Sequence, residues 1–200
     1  MVVFRFALAA SLILGAAPLA AQRPTPARPA PPRPSAPSSA QAPGSPRAVA
    51  QRVLNALGNR DAAAFARDVH PQEMANFREG LLPMLRQAAA ANKQAEVVRF
   101  FPGTKSVADI EKLSVERFFI GYLQGVFQRM EAAGNVRLTN TVLGEVAEGD
   151  TLSHVVYRAR LTQGANQRVD MAVLTLKKSP GGWKIFLPGD FTAMGRAANQ

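Results

Sequence analysis

The sequence contains no cysteine. That absence excludes a disulfide framework, a thiolate nucleophile, a Cys-ligated zinc or iron–sulfur site and a lipid anchor on Cys. Such a domain must be held by its core alone, and roughly 150 residues suffice for that. Histidine is nearly absent too, with His70 and His154 the only two. A metal site would need both beside a carboxylate. His70 lies in a Val-His-Pro turn and His154 shares a strand face with two arginines, so no metal is expected. The Gly-x-Ser-x-Gly, phosphate-loop and dinucleotide fingerprints are all missing. No cofactor is expected. No run of apolar residues reaches the ~20 needed to span a bilayer.

Acidic residues are lacking before Asp61, whereas Arg5, Arg23, Arg28, Arg33 and Arg47 all precede it. Over the whole chain 24 Lys and Arg face 14 Asp and Glu, and the five early arginines account for half of that excess. The folded part is therefore only mildly basic. Such a charge suits anionic neighbours, including envelope polymers and lipid headgroups, and it also serves solubility. Nucleic acid is not expected, because no series of exposed aromatics offers stacking.

Residues 1–21 read as a signal peptide. Arg5 gives the positive start, Phe6 to Ala16 the apolar stretch, and Leu19-Ala20-Ala21 the small residues for cleavage before Gln22. The expected destination is export, either periplasmic or secreted. Residues 22–47 hold nine prolines, which fix φ and remove backbone donors. They are expected to form a disordered, Arg-bearing spacer of polyproline II character. The folded domain is expected over 48–192, with a flexible tail over 193–200.

Within the domain, Val49, Val53, Leu54 and Leu57 repeat at three and four and predict a helix over 46–57, stopped by Gly58. Asp61 should cap a short second helix to about 69. Met74, Phe77, Leu81, Leu85 and Ala88 predict a third over 72–92, kinked or split at Gly80 and Pro83. Residues 95–101 read equally as strand or helix end. After a capped turn at Ser106, a helix over 115–132 carries a broad apolar face suited to burial against a sheet. From Val136 the period becomes two. Strands are expected over 136–147, 152–162, 168–178 and 183–187, joined by short turns and hence antiparallel. Strict alternation puts Val136, Leu138, Val142 and Val146 on one face of the first. Met171 to Leu174 are apolar on both faces, as in a strand at the centre of a sheet. The expected fold is α+β, with N-terminal helices packed on a curved four-stranded meander.

The stretch Val53 to Phe65, with its Gly58 and Asp61 turn, and the ending Gly181-Gly-Trp-Lys-Ile-Phe186 resemble the NTF2-like superfamily. That superfamily includes the SnoaL-like and ketosteroid-isomerase-like α+β cones. The resemblance covers roughly 47–188. It implies a pocket between curved sheet and helices. Some members are isomerases, cyclases or dehydratases, and many are non-catalytic binding or assembly modules. Residues 72–101 read as helical where the superfamily usually has a β-hairpin.

No catalytic set transfers from that resemblance, so the candidates come from local chemistry. Asn140 is a polar amide on the apolar face of the first strand and must find partners. Tyr157 and Tyr122 can aim hydroxyls at the same space. His70 is a candidate acid or base. Asp170 is a candidate base, with a cross-strand ion pair to Arg158 or Arg160 as its simplest role. Arg158, Arg160, Lys177 and Lys184 form a candidate basic face. Trp183 is expected to anchor the edge of the core. These features favour a non-catalytic exported domain that binds a small apolar ligand or an anionic envelope component. A small isomerase-, cyclase- or hydratase-type enzyme and a dimerising assembly module, pairing as a homodimer, are the alternatives.

Overall fold

A computed structural model describes residues 44–187 apart from 133 and 135. The signal peptide, nearly all of the proline-rich spacer and the C-terminal tail lie outside the described residues. Six helices come first: α1 (Pro46–Gly58), α2 (Ala62–Arg67), α3 (Pro71–Ala90), α4 (Gln94–Val98), α5 (Val107–Glu111) and α6 (Val115–Ala132). Four strands follow: β1 (Val136–Glu148), β2 (Leu152–Gln163), β3 (Asn166–Ser179) and β4 (Gly182–Phe186). They form one antiparallel meander in the order β1-β2-β3-β4. The fold is α+β, with helices packed against a four-stranded sheet.

The helix starts are set by side chains that satisfy free backbone N–H groups. Ser45 accepts from Ala48, Asp61 from Ala64 and Ser106 from Asp109. The end of α1 departs from expectation. Gly58 stays helical, and the left-handed residue is Arg60 at φ 58°. A Cβ on Gly58 would stand 3.3 Å from the Leu138 carbonyl oxygen, so this glycine lets α1 lie close to β1. The third helix is also simpler than expected. It runs unbroken through Pro83, which is exposed and forfeits one helical bond without ending the helix. Residues 94–98 resolve as helix, not strand.

The layering differs as well. The helix that touches all four strands is α1, whereas α6 packs chiefly against α2 and α3. The broad apolar face of α6 is used on other helices, not on the sheet. Phe118 and Phe119 are fully buried there. Phe119 meets Phe77 edge-on at 5.4 Å and Phe65 at 6.1 Å, while Phe101 lies 4.9 Å from Phe118. Burying each ring contributes roughly 2–3 kcal/mol. Trp183 packs half-buried at the edge of this core.

The sheet has one closed edge. Ile185 donates to the Asp68 carbonyl, His70 donates back to the Ile185 carbonyl, and Val69 bridges Ile185 in parallel. The segment 68–70 thus covers the outer edge of β4. In β1 the ladder slips between Val142 and Gly144, leaving Leu143 as a bulge. The slip carries Val146 to the face away from the helices, opposite His154, where it is 60% exposed. Strict alternation had placed it with Leu138 and Val142. β3 is interior in the sheet, but only one of its faces is covered. Val169, Met171 and Val173 stay exposed on the other.

Candidate functional site

The helix-facing side of the sheet holds three of the predicted site residues on neighbouring rows. Asn140, Ala159 and Asp170 lie side by side across β1, β2 and β3, and Tyr157 sits one row away between Val142 and Ala172. Their bonding does not converge. The Asn140 amide donates to the Leu54 carbonyl at 3.1 Å and so ties β1 to α1. Asp170 is exposed and accepts from Arg168 on its own strand at 2.7 Å. The expected pair with Arg158 or Arg160 does not form, because those arginines point to the opposite face. Burial holds the Tyr157 phenol above its ordinary value, so it stays neutral as a weak donor.

The other two candidates lie elsewhere. Tyr122 is on α6, 5.0 Å from the Phe77 ring and stacked on Phe100 at 5.9 Å. Its phenol is also raised by burial, against a smaller opposing pull from Arg129. His70 sits beyond β4, at the far edge of the sheet from Asn140. Its Nδ1 accepts from the Gln72 amide at 3.2 Å, capping α3, and its ring lies 5.1 Å from Phe186. Among the described residues, no three His, Asp or Glu side chains converge as a metal would require. A polar groove of about 650 Å³ separates α1 from α2 and β4. A two-bond ion pair, Arg52 to Asp68 at 3.1 and 3.2 Å, crosses it.

The outer side of the sheet is a different surface. Cross-strand pairing sets out its rows: Val146, His154 and Thr175; Gly144, Val156 and Val173; Thr141, Arg158 and Met171; Thr139, Arg160 and Val169. Met171 is 69% exposed, Val173 48% and Val169 47%. With Val146 at 60%, exposed aliphatic side chains occupy four successive rows of this open face. Arg158, Arg160, Lys177 and Lys184 all lie on this same face. Lys177 stands 5.8 Å over the Phe186 ring, and Lys184 donates to the Arg67 carbonyl. His154 is held between Glu148 at 2.8 Å and Thr175 at 3.1 Å.

The exposed aliphatic residues of this face did not stand out from the sequence. The run Met171 to Leu174 is apolar at consecutive positions, and that pattern marks a strand covered on both sides as readily as one with a sticky open side. Gly144 inside β1 was the available signal for the bulge.

The sequence matches no known family profile, and no curated protein matches it. Among solved structures, it is similar to a Thiobacillus denitrificans protein named for the association domain of calcium/calmodulin-dependent protein kinase type II. Identity is 13% and the TM-score 0.36, over 72% of this chain and 90% of the other. Among the described residues, no helix is long and apolar enough to cross a membrane.

Proposed function

We propose that the protein is an exported, non-catalytic assembly module that pairs with a second copy of itself through the outer face of the sheet. The observation that supports this reading is the exposed row of Val146, Met171, Val173 and Val169 on a face where polar side chains would normally stand. Met and Arg together are the composition of interface centres. β1 to β3 run 12 to 14 residues each, so the face is roughly 40 Å by 15 Å. That approaches the ~800 Å² per partner of a stable interface. Two-fold self-pairing is the commonest way to cover such a face. The resemblance of residues 47–188 to the NTF2-like superfamily, many of whose members are assembly modules, points the same way. A pocket enzyme is less favoured, since Asn140 is engaged by Leu54 and Asp170 by Arg168.

Sedimentation equilibrium on the full chain, purified from an exporting host, tests this. A dimer is expected at micromolar concentration. Met171→Glu with Val173→Glu should give a monomer with an unchanged circular dichroism spectrum. A wild-type chain that stays monomeric to about 100 μM, a concentration at which even weak pairs form, would sink the proposal. Adding anionic vesicles to that monomer would then test an envelope surface as the occupant.

A further inference from the structure

We infer that the two copies meet with their strands reversed, so that Arg158 and Arg160 of each lie over the Glu148–Asp150 turn of the partner subunit. This geometry presupposes the self-pairing proposed above and adds its orientation. It comes from the uneven charge on the outer face. One end carries Arg137, Arg158 and Arg160, all exposed and without an ion pair among the described residues. The other end carries Glu148, with Asp150 in the adjoining turn. Glu148 keeps one carboxylate contact with His154 and is otherwise exposed. Lys177 and Lys184 stand at that second end too, but across the sheet, on β3 and β4.

Face-to-face pairing about a two-fold axis has two limiting arrangements. With the axis across the strands, β1 and β2 lie over their own counterparts, running the opposite way. The arginine end then covers the acidic turn of the partner, twice per dimer. Lys177 lies over Val169, whose cross-strand neighbour is Arg160, and its long stem can carry the ammonium away from that guanidinium to water. With the axis along the strands, like ends stay together and β1 lies over the partner's β4 side. Glu148 then meets Lys184, but Arg158 and Arg160 cover Val169 and Met171 with no carboxylate in reach. A guanidinium buried without a counter-charge is strongly unfavourable. The reversed arrangement is therefore the one this charge pattern permits.

Charge reversal in the full chain tests the orientation. Glu148→Arg should raise the dimer dissociation constant by about tenfold or more, as like charges brought together do. Arg158→Glu with Arg160→Glu should do the same. Asp150→Arg gives a further acidic-turn variant that leaves the His154 contact in place. Combining Glu148→Arg with Arg158→Glu and Arg160→Glu should recover most of the lost affinity. Rescue of Glu148→Arg by Lys184→Glu instead would overturn the reversed orientation while leaving the dimer standing. No rescue by either combination would also overturn it. A wild type that never dimerises would remove the self-pairing itself.

Discussion

Gly125 has no side chain, and none would fit. A Cβ there would lie 2.2 Å from the Phe100 carbonyl oxygen and 2.6 Å from its Cα. Backbone cannot yield as a flexible side chain can, so α6 and the segment after α4 would have to part. The parting would disturb Phe100, whose ring stacks on Tyr122 and carries the Arg129 guanidinium 3.4 Å above it. Gly125→Ala should therefore lose about 3 kcal/mol, the upper range for overpacking, read as a lower urea midpoint with unchanged slope. Tyr122 titrates in a telling direction. Burial raises its folded pKa above the ordinary 10.0. Below that value the folded and unfolded states are both protonated, and stability is fully present. As pH rises past it, the unfolded tyrosine ionises first, and stability drains away until the folded phenol ionises too. Tyr122→Phe should keep the ring contacts and blunt the loss above about pH 10. Equal alkaline losses in both proteins would put the sensitivity elsewhere. Neither effect was legible in the sequence. One glycine inside a helix and one tyrosine on an apolar stripe say nothing about which backbone or ring lies opposite.

The elements were more legible. Asp61 and Ser106 announce their helix starts chemically, and the switch to a period of two at Val136 marks where the sheet begins. What failed was information held between elements. The apolar width of α6 signalled burial, but not that the burying partners were α2 and α3 rather than the sheet. Reading β1 by strict alternation placed Val146 on the wrong side, because one extra residue at Leu143 resets the count. Asn140 read correctly as a polar group needing a partner, and only the fold could say that the partner was Leu54. The bulge has a consequence that alternation alone would not predict. Removing Leu143 leaves Val142 and Gly144 opposite Tyr157 and Val156 as before, so both halves of the strand keep their faces. That deletion should cost roughly 1–2 kcal/mol, within the usual range for a single change. Removing Ala172 from β3, which pairs with β2 in unbroken register, should instead turn one half of that strand inside out and unfold the domain. If the two deletions melted alike, the bulge assignment would be wrong.

At the scale of the whole molecule, two surfaces divide the chemistry. The helix-facing side of the sheet gathers Asn140, Tyr157 and Asp170, and its polar groups are largely committed to holding the fold. The outer side gathers Arg137, Arg158 and Arg160, without an ion pair among the described residues, and the uncovered aliphatics. The self-pairing proposed above would make the stability of the domain depend on concentration. The melting temperature of the wild-type chain should climb with protein concentration, while that of Met171→Glu with Val173→Glu should not. The closed edge of the sheet bears on a different matter, the order of events. Its last rung joins Val69 to Ile185, residues far apart in the chain, and β4 is the final described strand. The helices emerge long before the strand that locks residues 68–70 into place. Pairings across such separations form slowly. A chain still being made has no means of closing this sheet until β4 has emerged, and under the export proposed above it stays threadable up to that point.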